Sequence, residues 1–245
     1  MKKTALFVAV ILLSASSLFA QDGGASANGT DRNFHFGLNI TPGIYFPTVG
    51  STATSGNTTY NNTANSAGFG FGYGINLEFY FTPNYGLATG IEITQFAANY
   101  TNVTDTMVAG KVASSYNTVH QQSMQYLQIP ILLKLRTNSI GAIKYFGQFG
   151  LGAGFLLSAT DNATVTPTYY GTTYPSTSSD NVNIYKQSDF IRLSLVVGLG
   201  LEYNLAGSTS IQGSINYDNA FTNLNSNSSN SVLVKGINLT IGVLF

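Results

Sequence analysis

The sequence predicts an all-β fold, an eight-stranded antiparallel up-and-down transmembrane β-barrel, on three observations. Only 8% of the 245 residues are charged while 13% are aromatic. Apolar residues recur at every second position in eight separate segments, and the connections between those segments are alternately short and long. A soluble domain carries roughly a quarter charged residues, and a disordered chain lacks the aromatic surface of 15 Tyr and 16 Phe. Beyond residue 20 no apolar run approaches the ~20 residues that a spanning helix needs. Ten basic and ten acidic side chains balance, without a basic cluster, so no nucleic-acid partner is expected. With no cysteine, the chain has no disulfide, thiolate metal site, thiol nucleophile or cysteine-linked lipid.

Residues 1–20 have the order of a bacterial secretory signal peptide: Lys2 and Lys3, an apolar stretch over 5–13, then Ser14 to Ala20. Residues 21–32 form a Gly, Ala, Ser and Asn-rich lead without a pattern, and the barrel domain is expected over 33–245. Its first strand presents Phe34, Phe36, Leu38 and Ile40 on one face. The second places Phe69, Phe71, Tyr73, Ile75, Leu77, Phe79 and Phe81 opposite Gly70, Gly72, Gly74, Asn76, Glu78 and Tyr80. The third is weaker, with Leu87, Ile91 and Ile93; the fourth runs through Leu127, Ile129, Ile131, Leu133 and Leu135. The fifth carries Ile143, Tyr145, Phe149, Leu151, Phe155 and Leu157. The sixth is the clearest, since every odd position from Ile191 to Tyr203 is apolar. Ile211, Ile215 and Tyr217 mark the seventh, and Leu233, Ile237, Leu239, Ile241, Val243 and Phe245 the eighth.

Residues 82–84, 137–140 and 205–208 read as tight turns, whereas 47–67, 99–118, 158–188 and 219–231 read as long Ser, Thr, Asn and Tyr-rich loops. That plan puts turns in the periplasm and loops outside the cell. A hairpin hidden in a loop would raise the count to ten strands. The charges decide between this barrel and a soluble one, whose outward face would carry them. Here Glu78, Glu92, Lys134, Arg136, Lys144, Arg192 and Glu202 all fall on the faces opposite the large apolar residues. Arg or Lys at the lipid midplane would cost ~2–4 kcal/mol, so these seven are expected inside as a polar network that plugs the lumen. Leu239, Ile241, Val243 and Phe245 end the chain as an alternating strand with a terminal aromatic. This resembles the signal read by the outer-membrane barrel assembly machinery, which with membrane lipid is an expected partner.

The segment Tyr126-Leu127-Gln128-Ile129-Pro130-Ile131-Leu132-Leu133-Lys134 resembles the Y-L-E-I-P-L-L-L-K strand of the PorT-like outer-membrane β-barrel domain common in Bacteroidota. Residues 145–154 and 198–203 are similar to that family's later glycine-rich strands. The resemblance spans roughly 33–245 and implies an outer-membrane barrel, not one activity; a few members are similar to secretion-system components. Gln128 stands where the family pattern has Glu. Pro130 cannot donate to a sheet ladder, and a β-bulge would accommodate it.

Chemistry is sparse. The Gly70-x-Gly72-x-Gly74 and Gly150-x-Gly152-x-Gly154 runs lie along continuous strands, without the strand–turn–helix of a phosphate loop, and read as room for larger interior side chains. His35 and His120 alone could act as histidine bases. His120 is expected near the outer rim with Asp105, Asp161, Asp180, Asp189 and Asp218, where a His–Asp pair and a nucleophile would suffice for acyl transfer or hydrolysis. The residue spacing supplies no metal site and no cofactor site. Tyr169, Tyr170, Tyr174 and Tyr185 in the longest loop suit a protein or glycan partner. The expectation is a non-enzymatic barrel that serves envelope structure or partner docking; an outer-membrane enzyme and a narrow channel are the alternatives.

Overall fold

The structure, a computed structural model, describes residues 33–50, 52–226 and 231–245. The signal peptide and lead expected over 1–32 lie outside the described residues. Twelve strands follow in order: β1 (Phe34–Val49), β2 (Ala53–Ser55), β3 (Thr58–Ala64), β4 (Gly68–Thr82), β5 (Tyr85–Val108), β6 (Lys111–Arg136), β7 (Ile143–Tyr169), β8 (Thr172–Thr173), β9 (Thr177–Asn183), β10 (Ile191–Ala206), β11 (Thr209–Ala220) and β12 (Val232–Leu244). Eight of them close an antiparallel ring in the order β4-β1-β12-β11-β10-β7-β6-β5, with β5 returning to β4. Closure leaves the ring no unpaired edge. At the seam where the chain ends meet, the Phe245 amide donates to the Phe36 carbonyl at 2.8 Å.

The two faces of each strand follow from its parity. On β10 the odd residues Ile191 to Tyr203 point outward, Leu199 being 72% exposed, while Arg192 and Ser194 are buried. The outward apolar belt ends at Ile93 on β5, Leu127 on β6 and Leu157 on β7, beyond which Gln95 and Gln125 take the outward positions. One rim carries the short turns 83–84, 137–142 and 207–208.

The other rim differs from expectation. Residues 99–118 are not a loop: β5 runs on to Val108, β6 begins at Lys111, and Ala109 and Gly110 (φ 51° and 75°) form a two-residue hairpin turn. β7 likewise continues to Tyr169. Thr and Asn there satisfy one another in the sheet, as where Asn102 donates to Asn62 at 2.7 Å and Thr104 to Asn102 at 2.8 Å. The hidden hairpins are real, but they add no staves to the ring. β3 extends the sheet beside β5, and β8 and β9 pair with β7. Residues 221–226 do remain outside the strands, pinned by Leu224, which is fully buried and whose carbonyl accepts from the Asp189 amide at 2.8 Å.

Pro130 causes no bulge. β5 and β6 hold one register on both sides of it, the ladder simply lapsing there, and the Thr89 hydroxyl donates to the Pro130 carbonyl at 2.7 Å. The β6 irregularity instead falls at Gln125 and Tyr126, against β7. The inward glycines do make room. A Cβ on Gly70 would meet the Tyr45 ring, one on Gly72 the Glu92 carboxylate, and one on Gly200 the Phe146 ring. Gly70→Val is therefore expected to lower stability by about 1–3 kcal/mol through overpacking. Urea unfolding in lipid vesicles measures this, with Gly213→Val, where a Cβ meets nothing within 4 Å, as the milder control.

Candidate functional site

Facing strands converge their polar side chains in the short-turn half of the lumen. Lys134 on β6 is 1% exposed. Its ammonium donates to both Glu78 oxygens at 2.7 and 2.9 Å, lies 2.5 Å from Glu202 Oε1, and reaches Gln212 Oε1 at 3.1 Å. The Tyr80 hydroxyl donates to Glu78 at 2.7 Å. Arg136 lies over the Tyr80 ring at 3.6 Å, stands 3.6 Å from Glu202 and donates to the Pro83 carbonyl at 2.7 Å. Lys144 is the cross-strand register partner of Glu202. Five of the seven expected interior residues thus meet in one cluster.

The other two lie elsewhere in the lumen. Glu92 accepts from three neutral donors, Asn39 at 2.8 Å, Thr41 at 3.0 Å and Thr94 at 2.7 Å. It borders a polar cavity of about 100 Å³, room for a few waters, which Gln128 and Pro130 also line. Arg192 is held bidentately by Asp218 at 3.1 and 2.7 Å. Asp218, expected at the outer rim, is a buried partner inside the lumen.

Above these groups an aromatic layer interrupts the polar interior, which the expectation of a polar plug did not include. Tyr45, Phe96 and Tyr126 stack with centroids 4.6 and 5.8 Å apart, all at most 1% exposed, and Met124, Val232 and Val234 pack against them. Sequence reasoning missed this stack, although each ring stands on the inward parity of its strand.

Beyond the belt, His120 and Asp161 do meet, with Nδ1 and Oδ2 at 2.6 Å. His120 stacks on Tyr100 at 4.8 Å. The Tyr100 hydroxyl accepts from Gln122 at 2.9 Å and Asn225 at 3.1 Å, and burial pushes its phenol up to about 12. The Asp161 contact orients the imidazole and leaves Nε2 for proton transfer, the arrangement that a general base needs. Among the described residues, His120 forms its ion pair with Asp161 and not with Asp105, Asp180 or Asp189. His35 is buried at the short-turn end, edge-on to Tyr80 at 5.5 Å.

Farther out, β3, β5, β6, β7 and β9 form a continuous sheet past the belt. Its far end carries Tyr116, Tyr169, Tyr170 and Tyr174. Among the described residues, no group of three or more His, Asp or Glu is placed to hold a metal ion.

A family described as outer membrane protein beta-barrel domain matches residues 19–226. No curated protein matches the sequence. Among solved structures, the chain is similar to Neisserial surface protein A at 10% identity and a TM-score of 0.40, covering 87% of this chain and 96% of that one. The outer membrane protease OmpT from Escherichia coli matches at 8% identity and TM-score 0.38, covering 90% and 99%. The attachment invasion locus protein Ail of Yersinia pestis matches at 14% and 0.29, covering 85% and 98%.

Proposed function

We propose, from the premise that the chain belongs to the outer membrane protein beta-barrel domain family, a non-enzymatic docking role for this bacterial outer-membrane barrel. Its lumen is closed, its extended sheet stands outside the cell, and its partners are met there. The observation that carries this reading is the filling of the interior. A salt-bridge cluster occupies the short-turn half and an aromatic stack the other, with about 100 Å³ of polar cavity near Glu92. An eight-stranded barrel is just wide enough for side chains to fill, so the surface left to meet a partner is the sheet above the belt. The Y-L-x-I-P strand supports a PorT-like, secretion-linked form of the role, with the assembly machinery acting on the C-terminal strand.

The full-length protein in planar bilayers is expected to pass no steady single-channel current. Shortening β5 and β6 by replacing residues 99–118 with a tight turn is expected to leave a folded barrel that has lost its surface cross-links. A steady current would sink the closed-lumen reading, and unchanged cross-links the docking one. Loss of exported proteins from a deletion strain, measured by quantitative mass spectrometry, would support the secretion-linked form.

The 2.6 Å His120–Asp161 contact favours a second reading, an outer-rim enzyme. On the docking reading, His120→Ala is expected to leave the lipid A profile and surface proteolysis of the cell unchanged. A change in either would install the enzyme in its place.

A further inference from the structure

The structure assigns a ligand class to the outer end of the extended sheet: we propose that the tyrosine tip built by β6, β7 and β8 binds an uncharged glycan. This rests on the docking reading and names its partner.

One residue of this tip stands in the wrong place for stability. Tyr170 and Gly171 make the two-residue turn between β7 and β8, with φ 47° and 83°. Such a turn is suited by Asn-Gly, because both positions are left-handed and a larger side chain is strained at the first. The Tyr170 ring gains no packing in return, being 79% exposed, and it lies beyond the lipid belt. A strained residue with an exposed ring points to something outside the chain.

Its neighbours make a platform. The Tyr116 and Tyr169 hydroxyls are 2.7 Å apart and their rings meet edge to face at 5.9 Å. Tyr174 meets Tyr169 edge to face at 5.6 Å, and both remain well exposed, at 49% and 39%. The rings are thus held by one another while their outer surfaces stay open.

Charge selects the ligand. Residues 112–119 and 162–179 contain no Asp, Glu, Lys or Arg, only Tyr, Thr, Ser, Asn, Pro and small or aliphatic residues, with Lys111, Asp161 and Asp180 just beyond the ends of these segments. Sulfated or phosphorylated ligands call for Arg or Lys, and tight protein interfaces seat their Trp, Tyr or Arg anchors among tightly packed apolar neighbours, whereas these rings stand among Thr, Ser and Asn. A neutral sugar asks for what is here: ring faces against its C–H face, and phenol and threonine hydroxyls for its own hydroxyls.

The test is a printed array of neutral, sulfated and sialylated oligosaccharides probed with the full-length protein in detergent micelles, wild type beside Tyr170→Asn and Tyr174→Ser. Neutral glycans are expected to give the signal, weakened about tenfold in each variant by loss of a ring contact. Amide exchange in the β7–β8 hairpin is expected to slow about fivefold in Tyr170→Asn, since asparagine relieves the strain. That combination, a steadier hairpin that binds worse, excludes unfolding as the cause. A signal confined to acidic glycans, or one indifferent to Tyr170→Asn, overturns the proposal, as does faster exchange in that variant. A silent array with Tyr170-dependent cross-linking to a protein overturns the glycan and leaves docking standing. A silent array with cross-links unaffected by removal of 99–118 overturns both.

Discussion

Lys134→Met is expected to destabilise the barrel by about 3–5 kcal/mol, the cost of leaving a buried charge without its partner. The ammonium is shared by two carboxylates, with Glu78 bound through both oxygens and Glu202 at 2.5 Å. Without it, Glu78 keeps the Tyr80 hydroxyl and Glu202 keeps Arg136 at 3.6 Å, so two anions on facing strands repel in a site almost closed to water. Methionine fills the space and rests on the Phe146 ring that the ammonium covers at 4.0 Å, which confines the loss to charge. The double variant Lys134→Met/Glu78→Gln removes one charge of each sign and leaves Glu202 with Arg136. It is expected to recover more than half of the loss, because replacing a buried pair costs far less than breaking it. Equilibrium unfolding in lipid vesicles, followed by the gel shift between folded and unfolded forms, reads both. A single variant within about 1 kcal/mol of wild type would mean that water reaches the cluster and screens it.

The faces of the barrel were legible because lipid outside and a filled lumen inside leave each strand position one environment, and slipping a strand by one residue would exchange them all. Residues 191–203 show this directly, and the seven charged residues assigned inward all belong to strand faces turned to the lumen or its mouth. The same parity places Tyr45, Phe96 and Tyr126 inside, but attention to apolar residues on the outward parity passes over aromatics on the other. Pairing was not legible. Asp218 lies opposite Val196 across the β10–β11 ladder, and only that register brings it within reach of Arg192. Nor was the sheet beyond the belt. From Asn99 to Thr118 much of both faces meets water, so the hydrophobic period that marks a strand fades, and Thr, Asn and Ser read as loop although threonine fits a strand well. His120 and five aspartates were expected at one rim, but which of them meets the histidine depends on β6 and β7 remaining paired past the membrane, which brings Asp161 to it.

Phe96→Ala is expected to cost about 3–5 kcal/mol, the range for emptying a large aromatic site in a packed core. The ring is 1% exposed, lies between Tyr45 and Tyr126, and carries the Arg192 guanidinium at 5.5 Å from its centre. Collapse cannot refill the space, because each flanking tyrosine belongs to a different stave and the ring of backbone ladders fixes their separation. Gly70 and Gly236 flank the two edges of the Tyr45 ring, a Cβ at either meeting it. Phe96→Leu keeps most of the volume and is expected to lose about half as much or less. The same unfolding measurement in vesicles separates the two. Arg192 stays bonded to Asp218 in both variants, so the difference between them reports packing and not charge. A cost for Phe96→Ala near 1 kcal/mol, with Phe96→Leu no better, would place Phe96 outside the well-packed range. Water would then already stand in the upper lumen, and the closed interior on which the docking role rests would lose its outer half.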